Sequence, residues 1–510
     1  MQLLKRSRRA LGKVKKMIQW AIVKNRIRQK SRIEKAIEWL KGYYPGTAEA
    51  IGHKRKRAAP LTQDTAGGLI ASLYNFGEKD FARKLAKWGA SVQREDGAFS
   101  AQGKGPSVFN TAQAIRGFLA VLDDMPELES NLRRASEYVF NRVSQDGSIL
   151  DESNTYEYRN IYILPPLLEA GKKLLEPKYI RAARRSMDYY RRKPDLLGFN
   201  PEMRMAPYYS GFIIEALADL GETQLAKKGL KRIFGLQRRD GSIPAYPGVR
   251  WICPALLAQL AAVSYRLGES GAADKVMEYI HRLQNHSGGF YGSYGIRPGY
   301  SPRNEIPLAV KSYLDAYYWK IKASFNQEVG IYRESISEED GRVKEIVSFM
   351  DHPENKKILD IGCGKGRFIR ALKKQWPKAQ FYGMDLSEEM LKSCPEGVDT
   401  KCGTLLNASY PDAFFDCVYS VEALEHALLI ENAIQEMVRV LKPGGKIIVI
   451  DKNIAKIGRL EIKPWERWFD MREVADIFKR SGVEADFKTI SYGNRAQPDG
   501  LFVAWEGTKR

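Results

Sequence analysis

Cysteine and histidine are scarce in this 510-residue chain, with five of each. The cysteines (Cys253, Cys363, Cys394, Cys402, Cys417) are odd in number, and no two stand in a C-x-x-C pair. That spacing excludes a disulfide framework and a structural zinc site, and it points to a reducing, cytoplasmic compartment. No uninterrupted apolar run approaches the roughly 18 to 20 residues needed to cross a bilayer. Acidic residues are also in deficit: 61 Asp and Glu face 82 Lys and Arg, leaving a net charge of +21. So basic a chain favours anionic partners. Its length exceeds what one core sustains, so several domains are expected.

Charge is concentrated at the start. Twelve Lys or Arg residues precede the first acid, Glu34. Leu4, Leu11, Val14, Ile18 and Ile22 recur near helical spacing, so residues 1–33 read as a basic amphipathic extension, either a solvated arm or one that docks on a polyanion or the anionic inner face of a membrane. The apolar stretch is broken by Lys and Arg, which excludes a secretory signal. No specific nucleic-acid partner is expected.

From about residue 34 to 325 a turn repeats. Gln93-Arg-Glu-Asp-Gly97-Ala-Phe99 recurs at Gln145–Ile149, at Gln237–Ile243 and, loosely, at Gln284–Phe290, with Asp195–Phe199 filling the gap in the series. A spacing of about 45 to 50 residues accommodates two helices and two loops. Between the turns, small apolar segments starting near Asp64, Phe109, Asn160, Tyr208, Trp251 and Glu305 alternate with Lys- and Arg-rich amphipathic ones. A helix apolar on most sides is buried and one with a charged face is external. Six inner and six outer helices describe an all-α (α/α)6 toroid. The long loops gather at the inner-helix N-termini, so Asp64, Asn110, Asn160, Tyr208, Trp251 and Glu305 are candidate substrate-binding residues on that rim. The Gln-x-x-Asp-Gly-aromatic turn resembles the repeat of prenyltransferases and terpene cyclases, and the architecture resembles six-hairpin glycosidases and polysaccharide lyases. That resemblance implies a fold and not a chemistry. Neither a D-x-D-D acid nor an Asp-Cys-His zinc set is present.

Past a connector at 326–342, poor in Gly and Ser and therefore suited to packing, residues 343–510 switch to a βαβ pattern. The strand Ile358–Ile361 runs into Asp360-x-Gly362-x-Gly364-x-Gly366 and a helix from Arg367. Glycines there let the backbone approach a ligand at a helix N-terminus. A second strand ends in Asp385, where a carboxylate meets ribose hydroxyls. A fourth strand leads into Val421-Glu-Ala-Leu-Glu-His426, and Leu441-Lys-Pro-Gly-Gly445 precedes the fifth. This ordered set resembles the class I S-adenosylmethionine-dependent methyltransferases, and so implies a Rossmann-like domain with a mostly parallel seven-stranded sheet. Carried over by position, the resemblance puts S-adenosylmethionine against Asp360, Gly362, Cys363, Gly364, Gly366 and Glu422. Its ribose falls on Asp385, and its adenine between Leu386 and Leu405. Thr404 stands where relatives carry an acid for the adenine amino group. His426 is the candidate catalytic base for a hydroxyl acceptor. Lys452, Trp465, Glu466 and Trp468 are expected over the acceptor. No metal is expected. The acceptor implied by the fusion is a glycan or glycolipid of polysaccharide assembly. The alternatives are a bifunctional enzyme whose helical part is a separate lyase, epimerase or cyclase, and a non-catalytic scaffold.

Overall fold

The computed structural model divides into two compact units, Lys35–Ala323 and, chiefly, Ser324–Arg510. It describes residues 31–43, 63–100, 105–151, 157–193 and 208–510, apart from 458, 461, 492 and 494–498. Nearly all of the basic extension and the Asp195–Phe199 turn lie outside the described residues. A helical N-terminal region precedes a Rossmann-like α/β domain, as the two periodicities predict.

The helical unit opens with α1 (Arg32–Tyr43) and proceeds through five antiparallel hairpins: α2 (Gln63–Asn75) with α3 (Lys79–Ser91), α4 (Val108–Val121) with α5 (Glu129–Phe140), α6 (Leu164–Lys173) with α7 (Pro177–Arg191), α8 (Tyr208–Asp219) with α9 (Thr223–Phe234), and α10 (Pro254–Arg266) with α11 (Ser270–Leu283). The last long helix is α12 (Pro307–Gln327). Burial follows the pattern of apolar residues. Every residue of α10 from Pro254 to Tyr265 is buried, whereas α9 buries only Ala226, Gly229, Leu230 and Ile233, a single stripe. Among the inner helices, α2 packs on α4, α4 on α6, α6 on α8 and α8 on α10. The α12 residue Asp315 accepts a 2.6 Å hydrogen bond from Ser72 of α2.

The repeated turn has a physical reason. Gly97 holds φ +85°, and a side chain there would stand 2.3 Å from the Arg134 carbonyl oxygen on the next outer helix. Only glycine admits that approach. Gly147 meets Arg185 on α7 and Gly241 meets Lys275 on α11 in the same way, and Gly288 meets Lys35, on α1. The Gln93 amide reaches both the Gly97 carbonyl and that of Asn131 in the next outer helix, and Gln237 repeats this on Gly241 and Ala272. The final turn therefore docks on α1, the first helix among the described residues.

The α/β unit begins with α13 (Gly341–Met350), capped by Asp340, whose side chain accepts from the Arg342 amide. Its sheet contains β1 (Lys357–Ile361), β2 (Gln380–Asp385), β3 (Asp399–Cys402), β4 (Phe415–Val421), β5 (Leu441–Lys452), β6 (Val483–Ile490) and β7 (Phe502–Lys509), in the order β6-β7-β5-β4-β1-β2-β3. Only β7 is antiparallel to its neighbours. Helices α14 (Arg367–Gln375), α15 (Glu388–Leu391), α16 (Ile430–Val440) and α17 (Met471–Arg480) complete the crossovers. The chain leaves β1 for β2 on one side and returns as β4 on the other, so a crevice opens beyond the carboxyl ends of β1 and β4. One boundary differs from the sequence reading. β5 begins at Leu441, not Lys446, because Phe415 pairs with Leu441 and Cys417 with Lys446, so the Lys-Pro-Gly-Gly turn is a bulge inside the strand.

Candidate cofactor and acceptor site

The glycine loop leaves β1 with Gly362, Gly364 and Gly366 all at positive φ. A side chain at Gly362 would lie 2.3 Å from the Ala423 methyl, so the loop after β4 packs directly on the glycine loop. A side chain at Gly364 would meet nothing within 4 Å. Open space above a left-handed glycine is the cradle that a ligand's close approach requires.

The acids are arranged around this loop. Asp385 closes β2, its two carboxylate oxygens accepting 2.8 Å hydrogen bonds from the amides of Gly364 and Ser387. Burial raises its carboxyl above the ordinary value against the pull of those amides. Asp360 is 1% exposed, and its Oδ2 has no hydrogen-bond partner. Burial holds its carboxyl well above the ordinary value, with Tyr419 opposing. An orphaned acceptor beneath the glycine loop suits an ammonium or other donor supplied by a ligand. Leu386 and Leu405 are half-buried, and the Leu405 side chain comes within 3.7 Å of the Gly362 position. These residues fit S-adenosylmethionine.

Two expected contacts have other engagements. The Thr404 hydroxyl oxygen accepts from the amides of Leu406 and Asn407, so it holds its own turn and has little left to accept from an adenine amino group. Glu422, at φ +54°, turns the chain out of β4, and its carboxylate pairs with Arg342 at 2.5 Å and with Arg367. Burial alone would raise the Glu422 carboxyl; the two guanidinium groups hold it below its ordinary value. A non-glycine residue at positive φ persists only where its surroundings fix it.

His426 ends a short turn (Leu424–His426) three residues past Ala423. Its side chain is 15% exposed, and Nδ1 is buried without a partner. Burial lowers its pKa to about 4, so the imidazole is neutral at pH 7. Phe325 meets it edge to face at 5.0 Å. The donor atoms of Glu425, His426 and Glu466 lie within 4.8 Å of one another, a spacing that suits a cation. That position is already served: the Lys452 ammonium bonds Glu425 at 2.7 Å and Glu466 at 2.9 Å. Trp468 donates to Glu466 at 2.8 Å and is fully buried, so it belongs to the core and not to a cover over the acceptor. Trp465 is half-buried, with the Lys463 ammonium over its ring.

Sequence reasoning missed Arg342, Phe325 and Asn326, whose side-chain oxygen accepts from Ser387 at 2.6 Å. All three lie at or near the expected connector, where no motif marks them. Arg367 carried a signal, standing directly after the glycine loop.

In the helical unit, Asn110 donates to the Ser100 carbonyl and Glu305 accepts from Trp39, Asn285 and Ser287, so both tie turns to helices. Asn160 is buried ahead of α6, and Asp64 falls in the first turn of α2. Tyr208 meets Tyr300 in a tilted ring contact at 5.2 Å, and the nearby Gly299 abuts the Trp251 ring, so one loop brings these two aromatics together. A separate small cleft of about 20 Å³, partly open to solvent, lies toward the opposite, carboxyl ends of the inner helices. Glu215, Gln259, Arg266, Asp315 and Trp319 line it. Neither amide atom of buried Gln259 has a hydrogen-bond partner.

A methyltransferase-domain family matches residues 359–449. The tRNA (carboxymethyluridine(34)-5-O)-methyltransferase of Arabidopsis thaliana is 34% identical over 110 residues, which span 20% of this chain and 26% of that protein. The demethylmenaquinone methyltransferase of Anoxybacillus flavithermus is 26% identical over 223 residues, 33% of this chain and 94% of its own length. A solved S-adenosylmethionine-dependent methyltransferase from Aquifex aeolicus aligns with 20% identity and a TM-score of 0.29, over 38% of this chain and 98% of that one.

Proposed function

From a C-terminal domain that is a class I S-adenosylmethionine-dependent methyltransferase, we propose that the whole chain methylates a hydroxyl group of a glycan or glycolipid, with His426 as the base. The observation that carries this reading is the neutral, buried His426 with an unpartnered Nδ1, one turn beyond the residue that packs on the glycine loop. Bound S-adenosylmethionine supplies an electrophilic methyl group. The residues that would hold it are Asp360, Gly362, Cys363, Gly364 and Gly366 along the loop, Asp385 at the ribose, and Leu386 and Leu405 about the adenine. Glu422 acts through Arg342 and Arg367 by fixing the β4 exit.

His426 Nδ1 accepts the hydroxyl proton as the oxygen becomes nucleophilic. Burial keeps the ring unprotonated at neutral pH, so it is in the form that can accept a proton. Phe325 and the Glu425–Lys452–Glu466 network hold the ring's orientation and exclude water. A His426→Gln variant should lose about 10²- to 10⁴-fold in methyl transfer from labelled cofactor to lipid-linked glycans, the usual share of a general base. Unchanged transfer by the folded variant removes the base assignment. Labelling of lipids lacking sugar, in place of glycans, removes the acceptor class.

For the helical unit the reading is a closed (α/α)6 toroid that handles the acceptor. Closure is supported by the Gly288 turn docking on Lys35 and by the bond from Ser72 to Asp315. The cleft's carboxylates, amide, guanidinium and indole are groups that can pair with hydroxyls, but its space admits about one water and no sugar ring. Residues 1–33 are read as a peripheral contact with anionic membrane. Among the described residues no helix is long and apolar enough to cross one. Deleting 1–33 should abolish binding to acidic vesicles, and vesicle binding by the truncated protein would count against it.

A further inference from the structure

We propose that Cys363 and Cys394 form a thiol pair that hydroperoxides oxidise to an intramolecular disulfide, which weakens cofactor binding at the glycine loop. Their sulfurs lie 4.0 Å apart, and both stand 3.6 Å from the Gly364 carbonyl oxygen. A disulfide holds its sulfurs about 2.05 Å apart, so an approach of roughly 2 Å joins them. Neither cysteine has a part in the transfer chemistry above that needs a thiol.

The two sulfurs differ in a way that orders the reaction. Cys363 is 5% exposed, and its thiol lies beneath the loop, 3.0 Å from where a Gly383 side chain would stand. Cys394 is partly exposed, in the turn after α15, so a reagent reaches it first. Its hydrogen bond with Cys363 holds the Cys394 thiol below its ordinary value, while the same contact and burial hold Cys363 well above. The thiolate therefore forms at the accessible sulfur, and thiolate is the reactive form.

In the first step the Cys394 thiolate attacks one peroxide oxygen. An S–O bond forms, the O–O bond breaks, and the other oxygen leaves as alkoxide, or as hydroxide from hydrogen peroxide, and takes up a proton. In the second, the Cys363 sulfur attacks the Cys394 sulfur. The S–S bond forms, the S–O bond breaks, and the departing hydroxide leaves as water with the thiol proton. Two thiols lose two electrons in all, and the hydroperoxide takes them up. Cys363 also sits between two anchoring amides: its own, which donates to the Met384 carbonyl, and that of Gly364, which donates to Asp385. Drawing Cys363 toward Cys394 displaces the amide that fixes the ribose acid.

The effect on cofactor rests on the methyltransferase reading; the bond itself does not. The test treats the full chain with hydrogen peroxide and follows intact mass, peptide maps and S-adenosylmethionine affinity together. The expected result is a loss of two hydrogens and a peptide joining Cys363 to Cys394. Affinity should fall at least about tenfold, as for a displaced positioning group, and dithiothreitol should restore it. A Cys394→Ser variant should bind cofactor normally and keep that affinity after peroxide. Sulfinic acid at Cys394 without the joined peptide, pairing with exposed Cys402 instead, or a joined peptide with unchanged affinity would each overturn the proposal. If the reduced protein binds no cofactor at all, the methyltransferase reading fails, and the peptide map alone decides the thiol pair.

Discussion

The buried charges along the inner helices of the helical unit stand in pairs, whereas around the glycine loop of the α/β unit polar atoms are left without partners. Along the inner helices of the helical unit, Arg116 and Arg266 share Asp219, and Lys311 lies 2.8 Å from Asp315 and 4.0 Å from Glu215. Each of these buried charges has an opposite charge beside it. In the α/β unit, Asp360 Oδ2, Glu425 Oε2 and His426 Nδ1 are buried without a hydrogen-bond partner. Buried ions persist when paired, and unpaired polar atoms are costly unless something else supplies the partner. The first network therefore reads as architecture and the second as a site prepared for a ligand. The helical unit also leaves polar atoms unpartnered, Gln113 Nε2 and both amide atoms of Gln259 among them, and Gln259 lies in the cleft.

The largest expected effect tests the architectural side. Lys311→Met strands Glu215 and Asp315 without their cation, which should cost about 3 to 5 kcal/mol. Chemical unfolding followed by far-ultraviolet circular dichroism measures it in the transition of the helical unit. A loss under about 1 kcal/mol would show that the network is not the structural element the comparison makes it.

Next comes the pH dependence of the α/β unit. The His426 pKa is about 4 when folded, against an ordinary 6.5. Between those values the folded state binds fewer protons, so this group's contribution is complete above pH 6.5 and is lost as pH falls toward 4. The loss should reach about 3 kcal/mol. Asp451, raised by burial to about 7, works in the opposite direction, losing stability as pH rises to that value. The informative quantity is therefore the difference between wild type and His426→Gln. A difference that does not change between pH 4 and 6.5 would mean that the ring is solvated, not buried.

A smaller effect asks whether the helical unit closes on itself. Gly97→Ala and Gly288→Ala meet the same obstacle, a positive φ and a carbonyl oxygen within about 2 Å of the new methyl. Each should cost about 2 kcal/mol. If thermal unfolding finds Gly288→Ala harmless while Gly97→Ala is not, the last turn is not docked on α1.

The sequence carried most of the α/β unit because its turns require particular residues. Glycines at 362, 364 and 366 and an acid at 385 reflect backbone geometry, and such constraints are visible one residue at a time. The repeat was legible for the same reason, since Gly97, Gly147, Gly241 and Gly288 each answer to a neighbouring helix's carbonyl. The ion network was not. Arg116, Glu215, Asp219 and Lys311 sit on helices whose apolar residues surround them, and their partners come from helices far away in sequence. Periodicity reports which face is apolar, not which charge has been taken inside it. The engagement of Thr404 with its own turn escaped for a related reason, because a hydroxyl's partners depend on local backbone geometry that residue identity does not reveal.

The proposed function requires that the crevice at the ends of β1, β2 and β4 bind S-adenosylmethionine through Asp385 and the glycine loop. Isothermal titration of the cofactor into the reduced full chain tests it most directly. One site per chain is expected, with affinity weakened by about 1.5 to 3 kcal/mol in Asp385→Ala, the range for a hydrogen bond to a charged group, and unchanged in Cys394→Ser. Absence of binding to the wild-type protein, or equal affinity in Asp385→Ala, would contradict it.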